Sequence, residues 1–99
     1  MTIFLKIANY DFLLEQIGKV KSPEKMSKIL IIEDEAAIRR VLKKIISEEN
    51  DTYQVEEAED GLVGIEMISK SDFDLVLCDI KMPKMDGVEV LEAVKKIKP

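Results

Sequence analysis

An apolar run that stops on a carboxylate constrains this chain more than any other feature: Asp74-Leu75-Val76-Leu77-Cys78-Asp79, followed by Ile80-Lys81-Met82-Pro83-Lys84-Met85-Asp86-Gly87. Four consecutive apolar residues without alternation are expected of a strand covered on both faces, as in a parallel sheet. Pro83 and Gly87 then punctuate a loop, and a new amphipathic pattern begins beyond them. A second stretch repeats the arrangement: Lys28-Ile29-Leu30-Ile31-Ile32 runs straight into Glu33-Asp34-Glu35. Parallel neighbours would carry Glu33, Asp34 and Asp79 to the same end of one sheet. Ligands of open α/β sheets bind at that carboxyl end. Three carboxylates gathered there repel one another unless a cation lies between them.

The remaining pattern alternates strand and helix. From Glu35 onward, Ile38, Val41, Leu42, Ile45 and Ile46 form an apolar helical stripe, and Arg39, Arg40, Lys43 and Lys44 read as its solvated face. Tyr53 to Ala58 alternates and reads as an edge strand. Asp60-Gly61 opens a helix with Leu62, Ile65 and Ile68 inward. Asp86 caps a third helix with Glu89 at capping-box spacing, and Val90, Leu91, Val94 and Ile97 form its stripe. The order βαβαβα predicts a parallel sheet with right-handed crossovers.

Ninety-nine residues suit one small domain. A net charge of −5 without a basic run argues against direct nucleic-acid binding, which needs clustered Lys and Arg. The lone cysteine, Cys78, cannot form an internal disulfide and reads as a small buried hydrophobe, which fits a cytoplasmic location. No apolar stretch reaches the roughly 18–20 residues that span a bilayer. Lys6 and Asp11 interrupt the apolar N-terminus and make it a poor signal peptide. The absence of histidine removes Ser-His-Asp and Cys-His catalysis, His-ligated zinc and a phosphohistidine donor role.

Residues 1–25 read differently from residues 26–99. Ile3 to Ile7 is a candidate short strand, Tyr10 to Val20 has helical spacing, and Gly18 and Ser22-Pro23 close the segment. The expected division is an N-terminal extension, 1–25, and a domain, 26–99. Met26 is either the true start or an internal residue after a genuine appendage.

The acid pair Glu33-Asp34 after an apolar strand, together with Asp79-x-x-Met82-Pro83-x-x-Asp86-Gly87, resembles the receiver domain of two-component response regulators from about Lys28 to Pro99. The resemblance implies a flavodoxin-like parallel sheet with helices on both faces, strand order 2-1-3-4-5. Only three of the five βα units are present here. The resemblance makes Asp79 the phosphoacceptor, and carboxylates do form aspartyl-phosphates. It implies Mg²⁺ held by Glu33 (partly through water), Asp34, Asp79 and the backbone carbonyl of Lys81; Mg²⁺ favours such oxygen ligands. It implies a histidine kinase or phosphotransfer protein as donor, and a regulatory role rather than that of an enzyme.

The plainer readings are a strand-end cap for Asp79 and an acid cluster favourable to a helix dipole for Glu33 and Asp34. Glu35 fits only the second. An EF-hand is unsupported, because Lys81 and Pro83 stand where its loop needs oxygen ligands. The family's Ser or Thr after strand four and Lys after strand five have no counterpart in the three units. The alternatives are therefore a non-phosphorylated interaction module or inert fragment and, less well supported, a Mg²⁺-dependent phosphatase lacking a visible general acid. In order 2-1-3, Leu75 to Cys78 would form a bare apolar edge. The expectation is either a fragment of a longer protein or a covered edge, with Ile3 to Ile7 or a second copy, through self-association, as the cover.

Overall fold

The computed structural model describes residues 2–6, 28–49, 53–80, 82 and 85–97, with backbone alone for 2–6 and 49. The elements run β1 (Thr2–Lys6), β2 (Lys28–Ile32), α1 (Ala36–Glu49), β3 (Gln54–Ala58), α2 (Gly61–Lys70), β4 (Leu75–Asp79) and α3 (Gly87–Ile97). All strand pairs are parallel, in the order β1-β4-β2-β3. The three βα units from β2 onward thus take the flavodoxin-like arrangement, the first strand lying between the second and the third.

The uninterrupted apolar runs lie where such runs belong, in strands covered on both faces. Leu30, Ile32, Val76 and Cys78 face one side with Ala58, under Ile68 of α2 and Val90 and Val94 of α3. Ile29, Ile31, Leu75 and Leu77 face the other, against Leu42 and Ile46 of α1. Each such buried aliphatic side chain contributes about 1.5–3 kcal/mol relative to exposure. Lys28 gathers the amino end of the sheet. Its N–H donates to Asp74 Oδ2 at 2.7 Å, its carbonyl accepts from Asp74 N–H at 2.8 Å, and its ammonium lies 3.3 Å from Glu56 and 4.9 Å from the Phe73 ring centroid.

The helix stripes differ in part from expectation. Val41 on α1 is 47% exposed, because the buried centre of that stripe falls on Leu42 and Ile46. Leu62 on α2 is 54% exposed, and Ile97 at the end of α3 is also open. The inward face of α2 instead runs Gly61, Gly64, Ile65, Ile68, the i, i+3, i+4, i+7 positions, with Gly61 against Val90 of α3 and Met85 and Gly64 against Ile32 of the sheet. Bare glycines let the helix sit close. A Cβ on Gly64 would fall on Ile32 Cδ1 and lie 2.8 Å from its Cγ1, and one on Gly61 would lie 2.8 Å from Val90 Cγ2.

Capping follows the residues singled out. Asp60 accepts from Val63 N–H at 2.9 Å at the start of α2. Asp86 Oδ1 accepts from Glu89 N–H at 2.8 Å at the start of α3, and Glu89 Oε1 accepts from Asp86 N–H at 3.4 Å.

The apolar edge of β4 is not bare. β1 pairs with it in register, Thr2 with Leu75 through Lys6 with Asp79. The N-terminal strand therefore covers the edge from within the chain, and the premise for self-association through an uncovered third strand does not hold in this arrangement. The helical spacing of Tyr10 to Val20 falls outside the described residues.

Candidate functional site: an acidic cluster at the carboxyl end of the sheet

The site grows out of two neighbouring strands. β2 ends at Ile32 and β4 at Asp79, and Ile32 pairs in register with Cys78. Glu33 and Asp34 therefore emerge beside Asp79 at one end of the sheet. One ligand oxygen from each of Glu33, Asp34 and Asp79 can be chosen so that all lie within 4.8 Å of one another. The structure thus brings together the three acids predicted from sequence. The fourth predicted contributor, Lys81, lies outside the described residues.

The three acids occupy different environments. Asp34 is exposed, Asp79 is half-buried, and Glu33 is 1% exposed, the one buried charged side chain among the described residues. The backbone explains Glu33. Its N–H donates to Ala58 O at 3.1 Å, extending the β2–β3 ladder one residue past the strand. Its carboxylate turns back to accept Asp34 N–H at 2.9 Å. Its carbonyl accepts Arg39 Nη1 at 2.6 Å. Glu35 lies just ahead of α1 and offers its carbonyl to Arg39 N–H at 3.0 Å, apart from the cluster.

Behind the cluster stands Cys78. Burial, reinforced by the charges of Asp79, Glu33 and Asp86, pushes its thiol up to about 12. It stays protonated at neutral pH, and Sγ donates to the carbonyl of Asp79 at 3.4 Å. It is a packing residue, as the sequence suggested, and no nucleophile. The loop beyond Asp79 closes through Gly87 N–H to Ile80 O at 2.8 Å, and Met82 and Met85 pack on the core.

Oxygen-only donors from carboxylates fit a hard divalent cation such as Mg²⁺, which takes few protein ligands and keeps several waters. Half-buried Asp79 and exposed Asp34 leave such a cation open to solvent and to an anionic group.

Arg39 and Glu57 were missed by sequence reasoning, which placed Arg39 on a solvated face and Glu57 in an acidic edge strand. Arg39 instead reaches back over the start of α1 to the acid pair and lies 3.6 Å from Glu57. The available signal was a long cation in the first turn after the acids, a position from which it can bond the preceding loop.

A doubly covered parallel sheet carrying an acid cluster at the carboxyl ends of two central strands defines a flavodoxin-like α/β domain. The chain belongs to the response regulator receiver domain family, whose model matches residues 29–99. It is 42% identical over 72 residues to a protein-glutamate methylesterase/protein-glutamine glutaminase of Methylobacillus flagellatus, covering 73% of this chain and 20% of that protein. It is 41% identical over 70 residues to sporulation initiation phosphotransferase F of Bacillus subtilis, covering 71% and 55%. Among solved structures it is similar to the response regulator TrrA of Thermotoga maritima in complex with Mg²⁺-BeF. There the TM-score is 0.69 and the identity 37%, over 74% of this chain and 62% of that one. The chain thus spans about a fifth of the methylesterase relative and about half of the phosphotransferase. No helix among the described residues is long and apolar enough to cross a membrane.

Proposed function

We propose that this chain is a phosphoacceptor module of two-component signalling, taking a phosphoryl group onto Asp79 from a histidine kinase or phosphotransfer protein. The observation that carries this reading is the convergence of Glu33, Asp34 and Asp79 within 4.8 Å at the carboxyl ends of adjacent strands. The solved relative named in complex with Mg²⁺-BeF supports it.

In this reading an Asp79 carboxylate oxygen attacks the donor phosphorus. The new O–P bond replaces the P–N bond of a phosphohistidine, whose bonding pair returns to the imidazole nitrogen. Glu33, Asp34, Asp79 and the Lys81 carbonyl are the proposed Mg²⁺ ligands. When bound, Mg²⁺ supplies positive charge against the phosphoryl oxygens, which is where most of the stabilisation in such transfers arises. Glu33 holds the acid loop through its own backbone contacts, and Asp34 stays solvent-facing. The charge added at Asp79 then biases the loop toward Asp86 and α3.

The module is regulatory rather than enzymatic, and cytoplasmic. Residues 1–25 act as an extension whose strand β1 joins the sheet of the receiver domain, 26–99.

The test is intact mass after incubation with acetyl phosphate and Mg²⁺, beside an Asp79→Asn control. Gain of one phosphoryl group, absent in the control and with chelator, is expected. A folded chain that gains none overturns the reading. It would favour the second reading, a non-phosphorylated interaction module.

A further inference from the structure

We propose that Arg39 is a positioning residue for the acidic site, locking the Glu33–Asp34 loop into the geometry that gathers the three carboxylates. The proposal rests on the cation-binding reading of that site and adds a residue to it.

The contacts form a closed ring. Glu33 N–H donates to Ala58 O at 3.1 Å, and Ala58 is bonded to Glu57. Glu57 Oε1 lies 3.6 Å from Arg39 Nε, and Arg39 Nη1 donates to Glu33 O at 2.6 Å. The acid loop is thereby tied to the end of β3 through both its N–H and its C=O. The guanidinium suits this task because its planar fork can address two acceptors at once, which an ammonium does as a single point. The Arg39 side chain is 17% exposed, so its bond to Glu33 is shielded from competing water. With the carbonyl held, the chain turns sharply enough for Asp34 N–H to meet Glu33 Oε2 at 2.9 Å, and that bond aims the buried carboxylate.

The arrangement gives positioning and plain electrostatics opposite signs. A positive charge beside a cation site repels the cation, so removing it should tighten binding if charge alone matters. If Arg39 acts by holding the loop, removing it should loosen binding despite that relief. Outer contacts that orient metal ligands typically contribute about 10–100-fold in affinity.

Lys43 supplies a charge-matched comparison. Its Nζ lies 3.6 Å from Glu57 Oε2, on the same carboxylate. Lys43→Met removes one positive charge from this region and leaves the ring intact.

The experiment is calorimetric titration of the full chain with MgCl₂, for wild type, Arg39→Met, Arg39→Lys, Lys43→Met and Asp34→Asn, with urea unfolding of each. Expected for Arg39→Met is Mg²⁺ binding weakened about tenfold, with partial recovery in Arg39→Lys and unchanged or slightly tighter binding in Lys43→Met. Arg39→Met binding as tightly as wild type or more tightly, while folded, overturns the positioning role and leaves the site reading intact. If Arg39→Met does not fold, Arg39→Lys decides alone, and wild-type affinity there overturns the need for the two-acceptor fork. Wild type showing no binding sensitive to Asp34→Asn overturns the site reading, and the inference with it.

Discussion

Gly64→Ala tests the fit between α2 and the sheet, with a magnitude that follows from the geometry. A methyl at Gly64 would fall on Ile32 Cδ1 and lie 2.8 Å from Cγ1 and 3.4 Å from Cγ2. Ordinary carbon contacts are about 3.5–4.0 Å. The Cγ1–Cδ1 branch of Ile32 must therefore yield while Cγ2 stays in ordinary contact, and Ile32 is fully buried on β2 beneath α2. Overpacking of this kind costs about 1–3 kcal/mol. Against it stands the gain from replacing glycine by alanine inside a helix, about 1 kcal/mol. The net expectation is destabilisation by up to about 2 kcal/mol, centred on about 1 kcal/mol, which corresponds to a fall in Tm of roughly 4–8 °C at the centre for a domain of this size. Urea unfolding should show a lower midpoint at unchanged m. Ile32→Val removes the atom that clashes worst and should partly rescue Gly64→Ala, although alone it costs about 0.5–1.5 kcal/mol. A Gly64→Ala chain that unfolds at the wild-type urea concentration or above would refute the close-approach argument. Ile32 immediately precedes Glu33, so the same substitution should also weaken Mg²⁺ binding, readable by calorimetry.

Further outcomes concern the ends of elements and the buried thiol. Asp86→Ala removes the acceptor for Glu89 N–H and should cost about 1 kcal/mol in urea unfolding, with Asp86→Asn close to wild type. Cys78 titrates near its ordinary 9.0 when unfolded and near 12 when folded, so between those values the unfolded chain has lost a proton that the folded chain keeps. Stability present below pH 9 is therefore lost as pH rises toward 12, by up to about 4 kcal/mol. In unfolding curves at stepped pH, wild type should lose more stability than Cys78→Ala across that window, and parallel losses would contradict the assignment. Deleting residues 1–25 strips β1 from the edge of β4 and should produce concentration-dependent association in sedimentation velocity. A deletion variant as monomeric as the full chain would show that the edge needs no cover.

The parts legible in the sequence were those whose physics is local. Ile29 to Ile32 and Leu75 to Cys78 read as buried parallel strands because nothing in them alternates, and each ends on acids that the sheet then brings together. Asp86 and Glu89 declared a helix start through their spacing. What escaped was set by partners distant in sequence. Leu62 was placed inward because it is apolar, yet the inward face belongs to Gly61 and Gly64, which contribute by lacking a side chain. Arg39 looked like one of four solvated cations, and only the fold of the acid loop over α1 singles it out.

The pairing of β1 with β4 links the N-terminal segment to the proposed phosphoacceptor, Asp79. Three βα units alone would leave β4 at an edge, and strands at edges lack half of their ladder partners. With β1 alongside, β4 is interior, flanked by β2 on one side and β1 on the other. Its last residue, Asp79, then stands in register with Lys6 at one neighbour, one pair beyond Ile32–Cys78 at the other. β1 runs parallel in the position that the order 2-1-3-4-5 gives to a fourth strand. β4 is thus held from both sides, by β2, which carries Glu33 and Asp34 to the cluster beside Asp79, and by β1 from the N-terminal segment.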